Sequence, residues 1–140
     1  RTMVGDVRAL PLADRSFDAI WCRLVIGHLP GCAPVYSELA RVADEGATLI
    51  VTDFHPAAYR AGHRRTFRHE GGVGEIEHYV HDLPAHLAAA SAAGFEIEDI
   101  REAAIGPAVR AFYEASGRPD LYAGHEGLPV VLALAFRRGG

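Results

Sequence analysis

Three apolar runs set the frame of this chain: FDAIWC at 17–22, ATLIVTDF at 47–54 and PVVLALAFR at 129–137. Each has the length of a strand and lacks the strict polar alternation of a strand with one wet face. Each therefore reads as a strand buried on both faces. Segments with helical spacing lie between them. Behind Pro34, the residues Val35, Leu39 and Val42 share one 3.6-residue face, and Gly46 stands where a C-terminal cap is expected. Asp82, followed by Pro84, reads as the cap of a second helix running through LAAASAA to Gly94. FEIEDI at 95–100 reads as a strand and 107–116 as a helix, while 2–4 reads as the end of a strand that begins before Arg1. This alternation predicts an α/β fold with helices on both faces of the sheet.

Composition narrows the function classes. The formal charge of −4 offers no basic field for nucleic acid or an anionic membrane. No apolar run approaches the roughly 18 residues of a membrane span, and no secretory signal pattern is visible. Cys22 and Cys32 have no partner pattern, which fits free thiols in a reducing, cytoplasmic setting. All 14 basic residues are Arg, a bias from which no function follows.

The loop GDVRALPLADRSFDAIWC has an acid near its start, an acid at its exit and buried-type residues between. Three pieces follow in order: GD-x3-LPL-x3-SFD, then VIGHL, then SELARV-x3-G-x2-LIVTDF. This series resembles the second half of class I S-adenosylmethionine-dependent methyltransferases, nearest the small-molecule type that includes the ubiquinone/menaquinone-biosynthesis enzymes. The resemblance implies a Rossmann-like methyltransferase sheet, S-adenosyl-L-methionine as cofactor and a small-molecule acceptor methylated on O, N or C. It assigns Asp6 and the Val7 N–H to the adenine edge, Cys22 and Arg23 to the methionine part of the cofactor, and His28 to the turn histidine that packs beside the cofactor. The residues by themselves leave two roles open for Asp6, an adenine contact or a local Asx cap of its own turn. Leu10-Pro11-Leu12 reads as structural, Asp18 as an acceptor for loop N–H groups, and Cys22 as an inert thiol.

The family's glycine-rich loop is missing from this sequence. GGVGEIE at 71–77 follows no buried strand and opens no helix, so it fails the context that such a loop requires. The expectation is therefore a single partial domain, the C-terminal part of a larger methyltransferase. Residues 1–54 form its cofactor-site half, 55–82 an inserted hairpin or lid, and 83–140 its last helices and strands. Strand 17–22 then becomes an exposed apolar edge, through which a homodimer can form. The runner-up is a non-catalytic remnant acting as a binding or dimerisation module. A dinucleotide oxidoreductase fits less well, because the fingerprint loop is lacking.

The segment 55–82, HPAAYRAGHRRTFRHEGGVGEIEHYVHD, is longer than an ordinary connection and reads as a lid with β-like pieces at 66–68 and 75–80. Its histidines suit proton removal near neutral pH, and His81 and His55 are the expected general bases. A zinc reading of His78, His81 and His86 lacks paired cysteines and any HExxH spacing, so no metal is expected.

Overall fold

A computed structural model describes residues 2–140. In chain order it contains strand β1 (Phe17–Arg23), helix α1 (Ala33–Val42), strand β2 (Ala43–Phe54) and helix α2 (Pro56–Arg60). A short hairpin of β3 (Thr66–His69) and β4 (Gly72–Glu75) follows, then helix α3 (Leu83–Ala92) and strand β5 (Phe95–Ala104). Helices α4 (Arg110–Ala115) and α5 (Pro119–His125) precede the last strand, β6 (Pro129–Arg138). Single 3-10 turns sit at Ile26–His28 and Pro107–Val109.

The main sheet has the order β1-β2-β6-β5, with β1 and β2 parallel and β6 antiparallel to both of its neighbours. Along β2, past the buried Ala43, the residues Ala47, Leu49, Val51 and Asp53 are buried on one face. Leu134 and Phe136 of β6 lie on that face, and Val35, Tyr36 and Leu39 of α1 join Ala89 and Ala90 of α3 to cover it. Burying each large apolar side chain contributes about 1.5–3 kcal/mol, which exceeds the contribution of the surface ion pairs scattered over the molecule. Tyr36, Phe95 and Phe136 meet edge-on or tilted in its centre, with ring centroids 5.7–6.5 Å apart.

The helical layer is uneven. α1 and α3 seal one face, whereas on the opposite face Trp21 is 63% and Ile50 40% exposed. The expectation that 17–22 is buried on both faces therefore fails, because among the described residues nothing covers the Trp21 side or pairs with the outer edge of β1. For the same lack of a partner strand, 2–4 is not a strand, and the only pairing there is an isolated bridge between Asp6 and Ala9. Gly46 does not cap α1, which ends at Val42 with Ala43 already extended. Instead Gly46, at φ 73°, shapes a bulge where Phe17 pairs with Ala43 but Ala19 with Thr48. The second lid strand lies at Gly72–Glu75 rather than 75–80, so the hairpin turns at Glu70-Gly71. Asp82 caps α3 as expected, accepting from the Ala85 N–H at 2.9 Å.

The loop before β1 is fastened by α1. Arg41 donates to the carbonyls of Leu10 (3.0 Å) and Leu12 (2.9 Å) and to Asp14, and Glu38 accepts from the Leu10 N–H at 2.6 Å. The SELARV segment thus holds Leu10-Pro11-Leu12 against the helix. Asp18 is exposed and accepts none of the loop N–H groups expected of it among the described residues. No helix there is long and apolar enough to cross a membrane.

Candidate functional site

Because β1 and β2 run parallel, their carboxyl ends open on the same side of the sheet. The chain leaves β1 through Leu24, held at φ 54° with its N–H on the Thr52 carbonyl at 2.8 Å, and turns into the 3-10 segment. It leaves β2 through Asp53, Phe54 and His55. The segment after α2 then folds back over both exits, with Tyr79 N–H donating to Gly27 C=O at 2.8 Å. Gly27 is required here by contact rather than by its backbone angles. A Cβ would lie 2.9 Å from Asp53 Oδ1 and 2.9 Å from His78 Cε1.

Under this cover lies a polar group that sequence reasoning missed. Asp53 and His86 are both buried, with Nε2 of His86 3.2 Å from Asp53 Oδ2, close but not aligned as a hydrogen bond. The hydroxyl of Tyr36 is 3.0 Å from His86 Nδ1, and Asp53 Oδ1 accepts from the Phe54 N–H at 2.8 Å. Burial raises the Tyr36 phenol well above its ordinary range, so it stays a protonated donor. The signal was available: Asp53 falls in the buried register of ATLIVTDF, and His86 interrupts an alanine-rich helix.

His78 stands beside them. Its ring is edge-on to Phe54 at 5.0 Å and stacked on Tyr59 at 6.3 Å, and both ring nitrogens are buried with no partner among the described residues. Desolvation, reinforced by the nearby Arg65 charge, lowers its pKa, which favours the neutral ring. Arg65 in turn donates to His28 Nε2 at 2.8 Å and to the Leu24 carbonyl at 3.3 Å.

The sequence-predicted residues fall into separate places. His55 is the N-cap of α2: its Nδ1 accepts from Ala57 N–H at 3.0 Å, and its Nε2 donates to Glu102 at 3.0 Å. Neither nitrogen is left for a substrate. His81 is buried and donates from Nε2 to the Leu29 carbonyl at 2.9 Å, which leaves Nδ1 without a partner beside a groove of about 510 Å³ between residues 30–34 and α3. His28 lies at the β1 exit, in contact with Arg65. The Cys22 sulfur faces the α1 core rather than the exit, and burial, with the Asp53 charge adding to it, pushes its pKa up to about 11, so it is an inert thiol. Arg23 points to the open face, with its guanidinium 5.6 Å from the Trp21 ring. Asp6 is engaged by Arg8, which donates to both carboxylate oxygens and holds its pKa down at about 2. It also accepts from the Arg8 N–H at 2.8 Å, the local Asx bond left open by the sequence, while the Val7 N–H has no partner among the described residues. No cluster of three or more His, Cys, Asp or Glu with metal-holding geometry occurs among the described residues.

The geometry can be set beside known proteins. Residues 1–51 match the family model described as a methyltransferase domain. The chain superposes on an S-adenosylmethionine-dependent methyltransferase from Mesorhizobium loti with TM-score 0.66 at 19% identity, covering 96% of this chain and 67% of that one. The fold is that of the class I S-adenosylmethionine-dependent methyltransferases. A putative S-adenosylmethionine-dependent methyltransferase from Listeria monocytogenes agrees with TM-score 0.71 at 9% identity, over 97% of this chain and 68% of that chain. The geranyl diphosphate C-methyltransferase of Streptomyces coelicolor A3(2), solved with Mg2+, geranyl diphosphate and S-adenosyl-L-homocysteine, gives 0.68 at 13% identity. That match covers 99% of this chain and 52% of the enzyme. The chain spans 52–68% of the length of these structures, and its Asp6-x3-Leu-Pro loop, β1 and the first nine residues of β2 lie within the residues matched by the family model.

Proposed function

We propose that this chain takes part in S-adenosylmethionine-dependent methyl transfer to a small-molecule acceptor, as one part of a larger methyltransferase domain. The observation that carries the reading is the parallel β1–β2 pair, most of it within the matched residues 1–51, whose exits converge beneath the 55–82 segment. The residues present fit the cofactor in part. The unpartnered Val7 N–H suits a ring nitrogen of adenine, and Asp6 retains lone pairs beside its Arg8 contacts for the exocyclic amine. The backbone at Cys22 and Arg23, with the His28 ring, is the proposed lining for the methionine part. The cofactor, when bound, supplies an activated methyl group on sulfur, so positioning is the main task of the protein. Segment 55–82 excludes water from the exits of β1 and β2. Of the two expected bases, His81 retains a nitrogen, Nδ1, able to take a proton, whereas His55 is held by Ala57 and Glu102.

The test is calorimetric titration of S-adenosylhomocysteine into this 140-residue chain and into the product of the complete coding region. Tight binding by the latter and much weaker binding by the former is the expected result. Absence of binding by both overturns the reading.

A second reading, a non-catalytic module that dimerises, is favoured by one feature. The outer edge of β1 borders a groove of about 230 Å³ lined by Leu10, Leu12, Phe17 and Trp21. Sedimentation at rising concentration separates the two: a tight dimer without cofactor binding supports the module.

A further inference from the structure

Arg65 carries a charge that the described residues do not compensate. Its neighbour Arg64 has Glu75 at 3.6 Å, but no carboxylate lies within ion-pair distance of Arg65. What holds it is neutral: the Leu24 carbonyl, the lone pair of His28 Nε2, and the Phe54 ring, 6.0 Å from the guanidinium carbon. To accept from Arg65, His28 must be unprotonated at Nε2. Both side-chain hydrogen bonds to the described residues use one terminal nitrogen, so Nε and the second terminal nitrogen keep their donors. A partly buried cation without a counter-ion is unfavourable, and a guanidinium fork fixed in one plane matches the paired oxygens of a carboxylate or phosphate. The fork stands at the exits of β1 and β2, where the lid crosses them.

We infer that Arg65 is an anion seat, and that the acceptor bound under the lid is a small molecule bearing a carboxylate or phosphate group. That the occupant is a methyl acceptor rests on the methyl-transfer reading; the seat itself does not. The amino-acid carboxylate of the cofactor has the same chemistry, so the experiment separates the two sources.

The measurement is the Arg65 side-chain Nε–H signal of 15N-labelled protein, in the 140-residue chain during titration with inorganic pyrophosphate and in the complete gene product during titration with pyrophosphate and with S-adenosylhomocysteine. Pyrophosphate is expected to move the Arg65 signal saturably. Arg65→Gln should weaken that binding about 10-fold or more, while Arg64→Gln leaves it within about 2-fold, the difference expected of one bidentate charged contact. A static Arg65 signal, or equal pyrophosphate affinity in Arg65→Gln, overturns the seat. If S-adenosylhomocysteine moves Arg65 in competition with pyrophosphate, the seat holds the cofactor's carboxylate and the inference about the acceptor fails. Failure of S-adenosylhomocysteine to bind even the complete gene product counts against the methyl-transfer reading and leaves the pyrophosphate result standing.

Discussion

His86 and Asp53 form a buried acid–imidazole pair, Nε2 to Oδ2 3.2 Å, at 0% and 2% side-chain exposure. Each also has one hydrogen bond of its own, Phe54 N–H to Asp53 Oδ1 and the Tyr36 hydroxyl with His86 Nδ1, so removing one partner leaves the other's facing atom buried and uncompensated. Asp53→Ala should destabilise the fold by about 3–5 kcal/mol, the range for breaking a buried pair, with Asp53→Asn milder. Urea denaturation at neutral pH measures both, and a loss below about 1 kcal/mol for Asp53→Ala would show the pair to be energetically silent.

Acid should loosen the 55–82 segment through His78. Its folded pKa is lowered, first by desolvation and then by Arg65, with His28 and His81 adding to the effect and Asp53 opposing it. Below the unfolded value of 6.5, the unfolded ring therefore takes up protons that the folded ring resists, and stability falls as pH drops through the folded pKa. Amide protection factors at Tyr79 and in β3–β4 should be lower at pH 5 than at pH 7.5 after correction for intrinsic exchange. His78→Phe should flatten that dependence; an unchanged pH dependence in the variant assigns it elsewhere, His63 being another histidine whose burial lowers its pKa.

Two nearby glycines give a paired test of crowding. Gly27→Ala drives a methyl against Asp53 and His78, whereas a Cβ on Gly31 meets nothing within 4 Å. Overpacking of this kind costs about 1–3 kcal/mol. Thermal melts should show a clear drop for Gly27→Ala and almost none for Gly31→Ala. Equal melts would mean the lid yields freely.

Asp6→Ala addresses the cofactor reading. In a form that binds S-adenosylhomocysteine, removing one charged acceptor should weaken affinity about 10-fold or more, with the fold intact by circular dichroism. Unchanged affinity would reduce Asp6 to the Asx cap that it already forms with Arg8.

Strand and helix identities were legible because apolar length and capping residues are local properties: ATLIVTDF, PVVLALAFR and Asp82-x-Pro84 became β2, β6 and the start of α3. What failed depended on neighbours distant in sequence. Gly46 looked like a helix cap but serves a bulge opposite Phe17 and Ala19, and 2–4 found no strand to pair with. The site was less legible for the same reason. His55 and His81 carry the right functional group, yet both nitrogens of His55 are claimed by Ala57 and Glu102, and Leu29 claims one nitrogen of His81. His78 and Arg65 acquire their character from Gly27, Asp53 and Leu24, which lie 25 or more positions away in sequence.

The placement of β6 between β2 and β5 bears on how the chain comes off the ribosome. β5 is synthesised well before β6, yet it touches no other strand of the main sheet. Until Leu132, Leu134 and Phe136 emerge from the exit tunnel, Phe95 has no strand beside it and β2 has an unpaired edge. The sheet is therefore completed only after almost all of the chain has been made, through contacts between distant residues that form slowly. A pause in translation between β5 and β6 would prolong the life of an intermediate with two open edges. Chaperone shielding of those edges would matter most during that interval.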